Sequence, residues 1–219
     1  MTHDPERAAW NDAMYEKHPT PYGGISGRIE QARLRAVLGL ARITARDAVL
    51  ELGCEAGNLL VRAPRARRLV GADISARALA DARLRFAARG REVELLQLDA
   101  EQPLPWERGT FEVVLCSEML EHVDHPERVI GSIAALCTPD TRVVISVPIE
   151  GPKVAIKAVL ARLGLLDRFF AGIERGQSEW HVHAFSPAML RGLVAEPFVR
   201  LRERNVWLMH HVMLLRLRG

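Results

Sequence analysis

The sequence contains little cysteine, little lysine and few aromatic side chains. Its three cysteines, Cys54, Cys116 and Cys137, are odd in number and show no paired spacing, which argues against a disulfide framework and a cysteine zinc site. We expect these thiols to be reduced and buried. No run approaches the roughly 20 apolar residues of a transmembrane helix, and the polar N-terminus lacks the apolar run of a secretory signal. We therefore expect a cytoplasmic protein.

The charged residues are close to balanced. Thirty basic residues face 27 acidic ones for a net charge of +3, and all but three of the basic residues are arginine. The arginines are scattered along the chain with one short cluster at 62–68, a distribution typical of a solvated surface. The sequence therefore argues against a nucleic-acid partner. A hydrophobic fraction of 48% over 219 residues is enough for one substantial core.

Apolar runs alternate with helical patterns from Ala48 onward. Ser75 and Gly90 bracket one helical pattern as its expected N-cap and its stop. Alternation of this kind predicts a parallel sheet with helices on both faces, and the last two apolar runs are typical of an antiparallel pair. The predicted strands are 48–52, 68–73, 93–98, 111–117, 142–147, 198–205 and 207–217, and the predicted helices include 76–89, 126–136 and one opened by Ser186-Pro187.

Two segments outside this alternation are helical in pattern. Apolar residues recur at helical spacing between Ile29 and Leu40, so residues 1–46 are predicted to form an N-terminal helical cap on a main domain of residues 47–219. Residues 153–170 are apolar but basic, and we expect 151–178 to form a helical insertion over the substrate cleft. An amphipathic basic segment of this kind also suits a transient contact with a membrane surface.

The segment that says most about function is Val-Leu-Glu-Leu-Gly-Cys-Glu-Ala-Gly-Asn at 49–58. An apolar strand here enters a turn that contains Gly53 and Gly57, and a helix is predicted to follow. Glycine lets the backbone approach a ligand closely, and a helix N-terminus presents unpaired amides. The turn favours a nucleotide-like cofactor, and a ligand-free turn between strand and helix is the alternative.

Acidic residues end the next two strands. Asp73 lies twenty residues beyond Gly53, where a carboxylate can accept hydrogen bonds from ribose hydroxyls, and Asp99 is placed to accept one from an adenine amino group. Because the carboxyl ends of parallel strands meet at one edge of a sheet, these features together predict a bound nucleoside. The pattern Gly-x-Gly-x-x-Gly is absent, which argues against a nicotinamide-dependent dehydrogenase.

These motifs resemble those of the class I S-adenosylmethionine-dependent methyltransferases, and the resemblance covers residues 48–148 closely. The four matching motifs are Glu51-Leu-Gly-Cys-x-x-Gly57, Asp73-Ile-Ser, Leu98-Asp-Ala-Glu and Phe111-Glu-Val-Val-Leu-Cys-Ser-Glu-Met-Leu-Glu-His-Val. The resemblance implies an α/β fold with a Rossmann-like seven-stranded methyltransferase sheet, mostly parallel with an antiparallel last strand and helices on both faces. It also implies S-adenosyl-L-methionine as the cofactor.

The resemblance assigns a role to each matching residue. Glu51 and Gly53 would line the methionyl part of the cofactor, Asp73 the ribose, and Asp99 and Ala100 the adenine. Ser117 would lie near the methionyl group, and Glu55 stands where the family usually has glycine. The implied cofactor-binding residues are Glu51, Gly53, Cys54, Gly57, Asp73, Ile74, Ser75, Asp99, Ala100 and Ser117.

Candidate acid, base and metal-binding residues lie in Glu-Met-Leu-Glu-His at 118–122. One helical turn would bring Glu118, Glu121 and His122 to one side, and a distant histidine would complete a site for a divalent cation such as Mg²⁺. Such a set resembles two subfamilies, the ubiquinone-biosynthesis O-methyltransferases and the small-RNA 3′-terminal 2′-O-methyltransferases, in which it holds a metal near the acceptor oxygen.

The distant histidine is sought in Glu-Trp-His-Val-His-Ala-Phe at 179–185. Its position relative to Phe185 favours His181 over His183. The predicted catalytic residues are therefore His122, Glu121 and His181. The alternative is a metal-free site in which His122 serves as a base or packs at the site wall.

The sequence thus predicts a methyltransferase that acts on a hydroxyl of a small molecule, such as a quinone precursor, a glycolipid-linked sugar or another natural product. Two alternatives stay open. One is a metal-dependent RNA 3′-terminal 2′-O-methyltransferase, which would require a basic groove. The other is a non-catalytic partner or sensor protein of the same fold. No feature of the sequence identifies the acceptor or the oligomeric state.

Overall fold

A computed structural model describes residues 5–17, 24–149, 151, 162 and 182–219. These residues form five helices and seven strands, joined by two short 3₁₀ turns at Leu60–Arg62 and Leu120–His122. The helices are α1 (Pro5–Lys17), α2 (Gly24–Ala41), α3 (Ala76–Ala87), α4 (Pro126–Leu136) and α5 (Pro187–Val194). The strands are β1 (Ala48–Leu52), β2 (Arg68–Asp73), β3 (Glu94–Gln97), β4 (Val113–Ser117), β5 (Arg142–Pro148), β6 (Phe198–Val206) and β7 (His210–Leu217).

All seven strands belong to one sheet in the order β3-β2-β1-β4-β5-β7-β6. The first five strands of the chain pair in parallel, and β7 pairs antiparallel with both β5 and β6. The predicted α/β fold, with its mostly parallel sheet and antiparallel last strand, is confirmed. None of the described helices combines the length and apolar character that crossing a lipid bilayer requires.

The sheet separates two apolar cores. One core lies under α4 and α5 and contains alternate residues of the strands, such as Leu50 and Ile145. The other lies under α2 and contains the intervening residues, such as Val49 and Val144. Strands that are buried on both faces require near-continuous apolar runs, which explains why β1, β4 and β5 are so apolar. The three cysteines are free and buried, as expected.

The predicted N-caps are confirmed at both helices, and the predicted stop is confirmed at α3. The hydroxyl of Ser75 accepts a hydrogen bond from the Ala78 amide (3.0 Å) at the start of α3, and that of Ser186 accepts one from the Met189 amide (3.2 Å) at the start of α5. Gly90 has a φ of 58° just beyond α3. Such caps satisfy amides that have no partner inside the helix.

Two local predictions were wrong. The last strand begins at His210 rather than at residue 207, because Trp207 and Leu208 form a tight turn with φ values of 52° and 55°. The helix expected directly after the glycine turn is only the 3₁₀ turn at Leu60–Arg62. Of the predicted insertion at 151–178, the structure describes Gly151 and Arg162 alone, and its role over the cleft stays a prediction, as does the domain boundary at residue 47.

A polar clasp joins the end of α2 to the start of β5. The Arg142 guanidinium donates to the carbonyls of Ala41 (2.9 Å) and Arg42 (2.6 Å) and lies 2.7 Å from a carboxylate oxygen of Asp47. The other carboxylate oxygen accepts from the Thr44 amide (2.6 Å). Burial alone would raise the pKa of Asp47, but the hydrogen bonds from Thr44 and Arg142 outweigh it and hold the pKa below its usual value.

We expect Asp47→Asn to lower the free energy of unfolding by about 1–3 kcal/mol at neutral pH, because it removes charge-assisted hydrogen bonds from a buried group. Since the folded-state pKa is depressed, this contribution is present above the unfolded-state pKa and is lost as the pH falls through the folded-state pKa. Urea unfolding of wild type and variant as a function of pH measures it. The matched control is Asp140→Asn, an exposed position. An equal loss at acid and neutral pH would contradict the ionic origin.

Candidate functional site

The turn after β1 has a left-handed backbone at three positions. The φ values are 68° at Gly53, 47° at Glu55 and 69° at Gly57. A Cβ at Gly53 would lie 2.6 Å from the Met119 side chain, and one at Gly57 would lie 2.9 Å from the Phe86 ring, so both positions need glycine. Glu55 adopts the conformation that glycine would adopt more easily, at a cost of roughly 1–2 kcal/mol. The glutamate therefore fits the left-handed turn that the family's usual glycine would form.

Asp73 holds this turn in place from the end of β2. Its carboxylate accepts hydrogen bonds from the amides of Glu55 (2.8 Å) and Ser75 (2.9 Å). Burial raises the pKa of Asp73, and these amide hydrogen bonds offset part of the rise. Each carboxylate oxygen has a second lone pair, so Asp73 can still accept from a ribose hydroxyl at the sheet edge.

Asp99 lies at the same edge, where α1 covers it. The Arg7 guanidinium donates to Asp99 (3.3 Å) and forms an ion pair with Glu101. Glu101 also accepts from the amides of Asp124 (2.9 Å) and His125 (3.2 Å). Burial alone would raise the pKa of Glu101, but Arg7 outweighs it and lowers the pKa below its usual value. Arg7 could not be singled out from the sequence, because nothing local indicates that α1 reaches this edge.

Polar contacts also hold the rest of α1 against α3. Asp12 accepts hydrogen bonds from the Ser75 hydroxyl and from the Arg77 amide (3.1 Å). The Tyr15 hydroxyl donates to Asp81 (2.8 Å). Ala8 is the only residue of α1 that is fully buried, and Trp10 is 43% exposed. The helix therefore attaches to the site through charges and hydrogen bonds.

A chain of polar side chains crosses the edge on the face covered by α2. Arg33 of α2 contacts the Ser117 hydroxyl, which lies 2.8 Å from the Ser146 hydroxyl. Ser146 donates to one carboxylate oxygen of Glu118 (3.0 Å), and the other lies 2.8 Å from His210 Nδ1. Burial by itself lowers the pKa of Arg33, but Glu118, Glu30 and Glu121 raise it above its usual value. This cation is therefore fixed beside Ser117 at the predicted methionyl end.

Three of these polar residues, Arg33, Ser146 and His210, were not predicted from the sequence. One of them, Arg33, left a signal there. Arg33 lies on the apolar stripe of α2 that contains Ile29 and Val37, and it is only 7% exposed. A charged residue on a buried stripe requires partners, which marks it as functional or paired. Ser146 and His210 left no such signal, because only the sheet pairing brings β5 and β7 together.

Glu51 lies beneath the glycine turn and is 3% exposed. Its carboxylate accepts a hydrogen bond from the Leu60 amide (3.1 Å). Burial raises the pKa of Glu51 to about 8, although Arg33 and the Leu60 amide act in the opposite direction. At neutral pH, without a ligand, this group is therefore mostly protonated. A cation bound next to it would stabilise the carboxylate instead.

The segment 118–122 contacts the backbone of residues 182 and 183. The Glu121 carbonyl accepts from the amides of Val182 (2.8 Å) and His183 (3.1 Å). His122 Nε2 lies 3.8 Å from a carboxylate oxygen of Glu121, whose side chain is buried. His183 Nε2 contacts the Asp124 carbonyl (3.3 Å) rather than this pair.

The predicted metal set does not converge within the described part of the chain. Glu118 contacts Ser146 and His210, and no three His, Cys, Asp or Glu side chains of the described residues are arranged to hold a metal ion. His181 lies outside those residues. A site formed by Glu118, Glu121, His122 and His181 stays a prediction.

The remaining predicted cofactor residues lie along the same edge. Ala100 is buried directly after Asp99, and the Ile74 carbonyl accepts from Gln97 (3.0 Å). Cys54 packs against β2, since a Cβ at Gly71 would lie 2.9 Å from its sulfur. The structure therefore places all ten predicted cofactor residues around the carboxyl ends of β1, β2 and β4 and the residues that follow β3.

Known proteins resemble this chain in the same region. A sequence family described as "Methyltransferase domain" matches residues 49–140. The ubiquinone biosynthesis O-methyltransferase of Aeromonas salmonicida is 34% identical over 113 residues, which are 51% of this chain and 48% of that protein. The one from Pseudomonas aeruginosa strain UCBPP-PA14 is 38% identical over 51% of this chain and 49% of its own. The matching segment thus spans about half the length of these curated relatives.

Solved structures share the fold over nearly the whole chain. The N-methyltransferase NodS from Bradyrhizobium japonicum WM9, in complex with S-adenosyl-L-homocysteine, has a TM-score of 0.63 at 18% identity and covers 98% of this chain and 96% of its own. The [4+2]-cyclase SpnF has a TM-score of 0.68 at 14% identity, with 95% of each chain covered. These structures show that the chain has the same fold, and residues 49–140 are similar in sequence to the "Methyltransferase domain" family.

Proposed function

We propose that this chain transfers a methyl group from S-adenosylmethionine to an oxygen atom of a small-molecule acceptor. The observation that carries the proposal is the set of complementary charges at one sheet edge. Glu51 and Asp73 lie near the carboxyl ends of β1 and β2, and Asp99 follows β3. Arg33 of α2 contacts Ser117 at the end of β4. A nucleoside with an amino-acid tail presents hydroxyl and amino donors, a sulfonium cation and a carboxylate, which match these groups one to one.

Each residue has a role that its position supports. Asp73 accepts from the ribose hydroxyls, and Asp99 accepts from the adenine amino group. Arg33 pairs with the carboxylate of the methionyl tail. Glu51 lies beneath the glycine turn, where its carboxylate stabilises the positive charge of the bound cofactor. When bound, the sulfonium supplies the methyl group for direct displacement, so much of the rate depends on how the protein aligns the acceptor.

Oxygen is the proposed acceptor atom because two histidines at this edge have carboxylate neighbours. His122 lies beside Glu121, and His210 lies beside Glu118. A carboxylate orients an imidazole and stabilises its protonated form, which suits removal of a hydroxyl proton. The relatives named as ubiquinone biosynthesis O-methyltransferases support a phenolic or quinone-precursor acceptor. A glycolipid-linked sugar or another natural-product hydroxyl fits the same chemistry. We also propose that the protein acts in the cytoplasm.

The first test is cofactor binding. We expect S-adenosylhomocysteine to bind wild type in a calorimetric titration, and Asp73→Ala to weaken binding at least about tenfold, because it removes the ribose acceptor and releases the turn. The exposed variant Asp140→Ala should bind like wild type. Equal affinities of wild type and Asp73→Ala would remove the ribose assignment. If wild type does not bind at all, the chain is a non-catalytic protein of this fold.

The second prediction concerns pH. Because burial raises the pKa of Glu51 to about 8, a cationic ligand must displace its proton below that pH. Affinity for S-adenosylmethionine should therefore rise with pH, by up to about tenfold per unit, and level off above about pH 8. In Glu51→Gln this rise of the affinity with pH should vanish. Titrations in buffers of different ionisation enthalpy measure the proton released, and equal release by both proteins would refute the assignment.

The third prediction concerns the base. We expect His122→Asn to reduce methyl transfer by about 10²-fold or more while changing affinity for S-adenosylhomocysteine little, because general bases contribute factors of this size. The measurement is transfer of labelled methyl groups to 4-alkylcatechols. His125→Asn is the matched control, since His125 is exposed and contacts Glu127. Undiminished transfer by His122→Asn would shift the base role to His210.

A further inference from the structure

A cleft of about 350 Å³ opens at the opposite end of the sheet from the cofactor edge. It lies between the second half of α2 and the antiparallel strands β6 and β7, next to Arg142 at the start of β5. The cofactor site lies at the other end of these strands. Arg142 lines the cleft and Ser146 contacts Ser117 at the cofactor edge, so at about 3.3 Å per residue along β5 the two sites are roughly 13 Å apart. The cleft is therefore a separate site.

Five arginines line this cleft, which we name the arginine cleft: Arg42, Arg142, Arg202, Arg204 and Arg216. None of the described lining residues is acidic. Asp47 neutralises Arg142 at 2.7 Å, so four positive charges are left. Arginine stays protonated at any physiological pH, and these charges cannot be relieved by titration.

The charged residues of β6 are divided between the two faces of the sheet. Arg202 pairs in register with Leu214, and Arg204 pairs with Val212, both of which belong to the core under α2. Glu203 points to the other face, where it forms an ion pair with Arg191 (3.0 Å). Within the described parts of the chain, no carboxylate forms an ion pair with Arg42, Arg202, Arg204 or Arg216.

The floor of the cleft is apolar. Leu40 of α2, Leu214 of β7 and Leu201 of β6 line it between the guanidinium groups, and Leu201 is 44% exposed. Among the described lining residues there is no aromatic side chain, and so none on which nucleic-acid bases could stack. Its volume is in the range of small-molecule sites rather than of a groove along a polynucleotide.

We propose that the arginine cleft binds an anion with two or more phosphate charges, from a free diphosphate or from a phospholipid headgroup. Guanidinium groups bind phosphate oxygens in pairs, and four of them around one cleft match a ligand with more than one charge. The apolar floor would contact the organic part of such a ligand. This inference does not depend on methyl transfer.

The experiment uses the whole chain and two probes. Inorganic pyrophosphate is titrated by calorimetry, and vesicles of phosphatidylcholine with and without phosphatidic acid are tested by co-sedimentation. Arg202→Gln/Arg204→Gln removes two charges from the cleft, whereas Arg83→Gln/Arg89→Gln removes two from exposed positions near α3. We expect the first variant to weaken binding at least about tenfold and the second to bind like wild type, at constant ionic strength.

Both readouts are independent of the cofactor site. Unchanged binding of S-adenosylhomocysteine by the cleft variant would show that it is folded, whatever the outcome for catalysis. Binding of pyrophosphate identifies a free diphosphate as the source, and binding only to phosphatidic-acid vesicles identifies a headgroup; either supports the site. The proposal is overturned if wild type binds neither probe, if both double variants weaken binding equally, or if a single-stranded RNA binds the cleft more tightly than pyrophosphate.

Discussion

Arg33 is a buried cation, and the carboxylates of Glu30, Glu118 and Glu121 balance its charge and raise its pKa further. Removing a guanidinium from water is costly unless partners replace the hydration, so these residues constrain one another. Arg33 contacts Ser117 at the end of β4, Ser117 contacts Ser146 of β5, and Glu118 contacts His210 of β7. One helix and three strands are thus aligned at the edge where the cofactor residues meet.

Burial is the main reason why the pKa of Glu51 is raised and why this group is mostly protonated when no ligand is bound. Arg33 lowers the pKa of Glu51, whereas the excess negative charge of Asp73 and Glu55 raises it further. A ligand with positive charge relieves this excess, whereas a neutral nucleoside does not. The electrostatics of the edge therefore favour a cationic cofactor before any contact with an acceptor is made.

Features that depend on neighbouring residues could be predicted from the sequence. The strands, the cap residues Ser75 and Ser186, and the acidic residues at strand ends follow from local pattern, and the sheet edge follows from parallel pairing. Features that depend on distant contacts could not. Arg7 reaches Asp99 across 92 positions, and His210 reaches Glu118 across 92. The arginines of the cleft are scattered in sequence, and only the packing of α2 against β6 and β7 gathers them.

The way α1 is attached has a consequence for its response to ionic strength. A 13-residue helix is marginal in water on its own, and α1 has a single fully buried residue. Its folding therefore depends on Arg7, Asp12 and Tyr15, whose electrostatic contacts weaken as salt screens them. Because Arg7 contacts Asp99 and Glu101 at the sheet edge, we expect rising ionic strength to loosen α1 at that edge while the two apolar cores remain intact.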